Sequence, residues 1–326
     1  MSVVVTGAAG FIGRVVVRTL LDAGHRVIAI DRRPMPDHPG LTVLTADLLG
    51  DDELVVVALA TADAVIHLAG RPGVRDDGPR VRLHRYRDNV AATAVVLEHV
   101  PLETPLVVAS SSSVYGGTAP GRPRTETDRP RPRGEYADSK LFAERLCGLR
   151  LCAGGRTAIA RPFTVAGEGQ RPDMALARWI AAARAGRPLR LLGSPDRTRD
   201  ITDVRHAARA LVTLAERGAC GPVNIGTGVG HRLGDMVATV AEVLDTEVIT
   251  QVVPAHPDEV NDTLADTRLL RRLVGFVPET DLRAVVTRQA FAALAPQPEG
   301  VAPQHEAVTP QPEGVAPQHR HREGVV

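Results

Sequence analysis

The 326-residue chain is 44% hydrophobic and sets 39 basic against 38 acidic residues, a formal charge of +1. That content is enough to bury one large core or two joined ones, and the near-zero charge excludes a net field that would recruit nucleic acid or an anionic membrane. No run reaches the ~20 apolar residues of a membrane span and no basic stretch leads into an apolar one at the start, so a cytoplasmic protein is expected.

In chain order, residues 2–6 form a β-branched run leading into glycines, 11–23 carry helical periodicity ending at Gly24, and 26–31 form a second apolar run. The alternation continues through 41–46, 51–60, 64–67, 85–99 and 106–109, with apolar runs short enough for buried parallel strands. An α/β fold with a doubly wound parallel sheet is expected over residues 1–165, with later segments returning to it. Beyond this the pattern loosens, and helices are expected at 174–185, 204–216, 233–244 and 282–294. Residues 166–294 are read mainly as a smaller mixed α/β substrate lobe over the strand ends, where open parallel sheets bind ligands. Residues 296–305 recur identically as 310–319, so 295–326 is a duplicated proline-rich tail expected to be disordered. Its His305, His319 and His321 are not expected to bind metal specifically. Cys147, Cys152 and Cys220 have neither Cys-x-x-Cys spacing nor a nearby histidine pair, and are read as buried thiols rather than disulfides or zinc ligands.

Thr6-Gly7-Ala8-Ala9-Gly10-Phe11-Ile12-Gly13 joins the first strand to the first helix. Gly7, Gly10 and Gly13 there bring backbone close to a pyrophosphate at the helix N-terminus. The next strand ends in Asp31, which suits an adenosine ribose and repels a 2′-phosphate, so NAD is expected over NADP. Arg32 and Arg33 directly after it are the groups that would pair with that phosphate in the alternative. Tyr136 and Lys140 lie four apart at the start of an expected helix, on one face. Bringing a phenol from ~10 to neutrality needs about three pKa units, or ~4 kcal/mol, which a close ammonium and a positive nicotinamide can supply. Lys140 is the one lysine among 39 basic residues, which points to a task arginine cannot do. Ser110 to Ser113 follow an apolar strand directly, so their hydroxyls are expected at the C-terminal sheet edge.

These glycines, Asp31, Asp47-Leu48, His67-Leu68-Ala69-Gly70 and Tyr136-Ala-Asp-Ser-Lys140 together resemble the extended short-chain dehydrogenase/reductase superfamily, over roughly residues 1–294. The resemblance implies a Rossmann-like domain that binds NAD through Gly7, Gly10, Phe11, Ile12, Gly13, Asp31, Tyr136, Lys140 and Pro162. It places Asp47 and Leu48 beside the adenine, Leu68 and Ala69 in the cofactor cleft and Asn89 on a nearby helix, while His67 is read as strand core. It makes Ser111, Tyr136 and Lys140 the catalytic set, and it implies a homodimer through the two long helices of the nucleotide domain.

The next two positions discriminate among relatives. In related 4,6-dehydratases they resemble Asp-Glu, the acid and base of elimination, and in UDP-glucuronate decarboxylases the second is typically Glu. Here they are Ser112 and Ser113. Epimerisation at C4 needs only Tyr136, the cofactor and room for a 4-keto sugar to turn. Residues 161–174 resemble the strand-to-loop segment of UDP-glucuronate 4-epimerases, and Ser112, Ser113, Thr164 and Arg171 suit a sugar carboxylate. Arg75 and Arg199 match positions that meet the substrate or its diphosphate, whereas two arginines of the family's diphosphate segment are His256 and Asp262 here. The expected activity is NAD-dependent 4-epimerisation of a nucleotide sugar, with UDP-glucuronate the first guess. A reductase of a keto-sugar nucleotide would use the same tyrosine and lysine, and a non-catalytic nucleotide-sensing relative would keep the fold alone.

Overall fold

Strand β1 (Ser2–Thr6) buries all three of its valines, because both faces of its sheet are covered. The computed structural model describes residues 1–73, 79–256 and 258–292. Within them β1 joins β2 (Arg26–Asp31), β3 (Leu41–Thr45), β4 (Ala64–His67), β5 (Leu106–Ala109) and β6 (Thr157–Pro162). A later strand, β10 (Gly221–Ile225), completes a seven-stranded sheet in the order β10-β6-β5-β4-β1-β2-β3. Every pairing in it is parallel. The order reverses at β1, where the chain runs outward to β2 and β3 and then returns to the other side as β4, so a crevice opens at the β1 and β4 ends.

Helices α1 (Phe11–Asp22) and α7 (Val204–Arg217) cover one face, burying Val16, Leu20, Ala207 and Leu211 against Val3, Val5 and Ile66. The other face takes α2 (Glu53–Thr61), α4 (Ala92–His99) and α5 (Gly134–Cys152), which place Leu59, Val96 and Cys147 against Val4, Val65 and Leu106. The 85–99 run is not one regular helix. A π-helical segment, Tyr86–Ala91, separates α3 (Pro79–Arg85) from α4, and its wider turn brings Asp88 and Asn89 inside together.

A second core gathers Leu176, Trp179 and Ile180 of α6 (Ala175–Arg184), Met236, Val237 and Val240 of α8 (Leu233–Leu244), and Val285 and Val286 of α10 (Leu282–Ala292). Beside it run β7 (Thr164–Ala166), β9 (Thr198–Asp203) and β11 (Gly230–Arg232) as one small sheet. The pair β8 (Leu189–Leu192) and β12 (Thr250–Val253) forms another, and α9 (Arg268–Val274) packs Leu270 and Val274 into the core shared by α1 and α7. Of the cysteines only Cys147 is buried, so the expectation of three buried thiols fails. Cys152 is the last residue of α5 and Cys220 stands between α7 and β10, where the chain leaves the core. Among the described residues no helix is long and apolar enough to cross a membrane. The duplicated tail lies outside the described residues.

Candidate active site

The turn after β1 is pressed against the end of β4. Gly7 has φ +68°, and a Cβ there would lie 2.6 Å from the Ala69 nitrogen; a Cβ on Gly13 would lie 2.2 Å from the Gly7 carbonyl oxygen. Only glycine lets α1 start this close to the crevice. Gly10 caps α1 without a side-chain acceptor, and no acidic residue stands in the first turn. The amides of Phe11, Ile12 and Gly13 are therefore the helix's open donors, with the positive end of its dipole behind them, which is the donor set a pyrophosphate needs. Asp31 closes β2, where its carboxylate accepts from the amides of Ala9 and Arg33, both at 3.0 Å.

The two arginines after Asp31 are engaged. Arg33 donates to the Ala9 carbonyl at 2.7 Å, and Arg32 lies 3.5 Å from Asp88 and 3.8 Å from Asp47. Arg87 joins the same cluster, 2.6 Å from Asp47 and 2.7 Å from Asp88. Burial opposes ionisation of Asp47, but Arg87 and the Leu49 amide outweigh it and hold this carboxyl below its ordinary range. Leu48 beside it is buried, and Leu68 and Ala69 are half-buried at the crevice. Asn89 works as a clasp: its Oδ1 accepts from the Arg71 amide at 2.8 Å, while its Nδ2 donates to the Arg71 carbonyl at 3.1 Å and to Ser139 Oγ at 2.9 Å. It thereby ties the segment after β4 to α5. His67 is strand core, bridging Thr6 at 2.6 Å and Thr93 at 3.1 Å, and burial with the nearby Lys140 pushes it down to about 3.

Tyr136 sits in the first turn of α5, whose dipole favours a phenolate. Burial raises its pKa, opposed by a hydrogen bond from the Ser111 hydroxyl and by the charges of Arg171 and Arg85. Lys140 is 7% exposed, and its Nζ donates to the Ala109 carbonyl at 2.9 Å. Burial pushes it down to about 8, with Cys147 and Glu144 acting the other way. Ser111 opens a 3₁₀ turn, Ser112–Tyr115, and accepts from the Ser113 amide at 3.1 Å. The Ser113 hydroxyl oxygen is buried without a partner.

Thr164 begins β7, half-buried, and Pro162 ends β6. Arg171 makes a two-pronged pair with Asp173, at 2.9 and 2.6 Å. Arg199 is built into the small sheet: it donates to the carbonyls of Thr198, Val260 and Asn261 and pairs with Glu259 at 2.9 Å. Burial lowers its pKa. Asp262 accepts from Thr198, at 3.0 Å from the amide and 2.7 Å from the hydroxyl, and the His256 ring accepts from the Asp258 amide at 3.2 Å. Arg75 lies outside the described residues.

Sequence reasoning missed a buried set behind these groups, namely Glu144, Arg161, Tyr115 and Asn224. The i, i+4 spacing of Lys140 and Glu144 is the one local signal in the sequence that points to this set. Asp200, also missed, is fully buried and accepts from the amides of Thr227, Gly228 and Ala265 at 2.9, 3.0 and 3.0 Å.

A glycine turn at a parallel switch point, a strand-ending aspartate and a Tyr-x-x-x-Lys helix beside a serine-rich strand end define a protein that does redox chemistry with a bound dinucleotide. The NAD dependent epimerase/dehydratase family matches residues 3–226, and the chain belongs to it. A protein named "Probable UDP-glucuronate 4-epimerase" from Rhizobium meliloti is 30% identical, over 88% of this chain and 95% of its own. Among solved structures, MoeE5 in complex with UDP-glucuronic acid and NAD is 37% identical with a TM-score of 0.82, over 90% of this chain and 99% of that one. The UDP-glucuronic acid 4-epimerase from Bacillus cereus, in complex with UDP-glucuronic acid and NAD, is 27% identical with a TM-score of 0.83, over 90% and 98%.

Proposed function

We propose that the chain is an NAD-dependent 4-epimerase of a nucleotide-activated sugar, with UDP-glucuronate as substrate. The observation that carries this reading is the turn after β5. It offers the hydroxyls of Ser111, Ser112 and Ser113 where elimination would need an acid and a base, beside a phenol on the first turn of α5. The N-terminus of α1 and Asp31 would hold the dinucleotide, with Leu48, Leu68, Ala69, Asn89 and Pro162 around it, and Lys140 would sit against its ribose side.

In the reaction Tyr136 takes the proton of the sugar 4-hydroxyl, and Ser111 holds that oxygen in place. Bound NAD supplies the acceptor, and then the donor, of one hydride at C4. The 4-keto sugar turns within the site, Tyr136 returns its proton to the same oxygen, and no net oxidation results. Lys140 favours the phenolate by its charge. Ser112, Ser113, Thr164 and Arg171 would receive the sugar carboxylate, and the buried unpartnered Ser113 oxygen supports that role. Arg199 is assigned to the diphosphate side, where it would exchange one of its present acceptors for the ligand.

On this reading residues 1–165, with β10, form the cofactor-binding part, and residues 166–294 mainly the substrate lobe. Two chains would associate through α4 and α5, the latter of which exposes Phe142 and Leu149, and light scattering tests this. The cytoplasm is the inferred compartment, where the exposed thiols of Cys152 and Cys220 stay reduced.

The test is anaerobic incubation with UDP-glucuronate and no added reductant, following the sugar C4 configuration by proton NMR. Wild type is expected to form UDP-galacturonate, and Tyr136→Phe to lose roughly 10²- to 10⁴-fold in rate while still binding NAD. Turnover only when reduced cofactor and a keto sugar are supplied would replace the epimerase with a reductase.

A further inference from the structure

One turn beyond Lys140 on α5, Glu144 is 7% exposed. Its Oε1 accepts from Ser110 Oγ at 2.5 Å and from Arg161 Nε at 2.8 Å, and its Oε2 accepts from Arg161 Nη2 at 2.7 Å. Arg161, on β6 and 4% exposed, also donates to the Tyr115 hydroxyl at 2.8 Å and lies over that ring, 4.9 Å from its centroid. Tyr115 in turn donates to Asn224 Oδ1 on β10 at 2.7 Å. The ends of β5 and β6, the 3₁₀ turn and β10 are thus all tied, directly or through Arg161, to one carboxylate on the helix that carries Tyr136 and Lys140.

A buried ion pair is weak evidence for stability, since apolar residues of the same volume often do as well. The placement of this one favours a role in the reaction. Ser110 is the residue before Ser111, and Ala109, the acceptor of the Lys140 ammonium, is the residue before Ser110.

We propose, building on the epimerase reading above, that Glu144 is a positioning residue: it fixes the 109–111 strand end against α5 and supplies the negative charge that keeps the buried Lys140 protonated. Among the described residues, the other groups around Lys140 carry no negative charge in the free protein that would do so: Tyr136, one turn before it on α5, is favoured as the neutral phenol by its burial. From β4, His67 is held neutral at about 3 by its burial and by Lys140. Cys147, a further turn along α5, is pushed up to about 12 by burial and by Glu144, so its thiol is neutral at physiological pH. β5 contributes the Ala109 carbonyl, and the π-helical segment contributes the neutral amide of Asn89. Arg161 faces Glu144 from β6.

The chain has one lysine, so protein grown on lysine carbon-13-labelled at Cε gives a single lysine signal whose pH titration reads this ammonium, with no substrate present. Wild type is expected to titrate near 8. Glu144→Gln is expected to lower that midpoint by about one unit, and Glu144→Asp, which keeps the charge, to hold it close to the wild-type value. The alkaline limb of kcat/KM, where the ammonium is lost, should move with the lysine midpoint, a shift that loss of packing alone would not produce. If Glu144→Gln does not fold because Arg161 is left unpaired, the charge-balanced double variant Glu144→Gln/Arg161→Met is expected to lower the midpoint as well, by less than Glu144→Gln alone, because the opposing Arg161 charge, which lies behind the carboxylate, is lost with it. A folded variant without the carboxylate that titrates with the wild-type midpoint overturns the proposal. A shifted midpoint in a protein that does not turn over UDP-glucuronate would sustain it and count against the substrate reading instead.

Discussion

Replacing Lys140 by methionine should make the folded protein more stable at neutral pH while abolishing turnover. Lys140 is 7% exposed, and burial drives it from the ordinary 10.5 to about 8. Keeping the ammonium charged inside the fold therefore costs about 3 kcal/mol wherever it is protonated in both states. Methionine fills a similar volume without the charge and forfeits the hydrogen bond to the Ala109 carbonyl, worth about 1 kcal/mol. The net gain is about 2 kcal/mol below pH 8. The sign follows from proton counts: between about 8 and 10.5 the unfolded chain binds more protons than the folded one. Wild type consequently gains stability as pH rises through that window and the variant does not. Urea unfolding of both proteins at intervals from pH 6 to 10.5 should show the variant's advantage shrink across the window and reverse near its upper end. An advantage independent of pH, or a variant less stable than wild type at pH 7, would refute the reasoning that Lys140 is a charge held against its own burial.

Gly13→Ala places a Cβ 2.2 Å from the Gly7 carbonyl, so α1 must move away from the crevice, and NAD affinity measured by calorimetry should fall at least roughly tenfold. Gly148, on α5, would meet no atom within 4 Å, and Gly148→Ala should raise stability by roughly 0.5–1 kcal/mol in thermal unfolding with activity unchanged. Asp31→Asn removes the charge that repels a 2′-phosphate, so competitive binding should show the NAD over NADP preference narrow.

The parts of the site legible in the sequence are those whose chemistry is local. Gly7 to Gly13 form one continuous turn, Tyr136 and Lys140 lie one helical turn apart, and Asp31 ends a recognisable strand. The network around Glu144 was not legible, because Ser110, Tyr115, Arg161 and Asn224 meet only after β5, β6 and β10 have paired. Residue type alone also gives no sign that charged side chains of α5 lie inside, yet Lys140, Glu144 and Arg150 are all buried, Arg150 by donating to the carbonyls of Val100 and Pro101. For Arg199 the sequence shows the residue type but not its surroundings, where three carbonyls and Glu259 already use the guanidinium. The π-helical segment escaped for a related reason, since one extra residue in a turn leaves the apolar periodicity of 85–99 almost unchanged.

The position of Lys140 also decides how the molecule meets reagents directed at primary amines. Every other basic side chain besides the histidines is arginine, so the side chains of the folded protein offer almost no amine to acylating dyes, amine cross-linkers or lysine-modifying enzymes. A reactive side-chain amine emerges only when α5 leaves the sheet. The appearance of label on Lys140 therefore counts opening events of the core around the candidate active site, one molecule at a time.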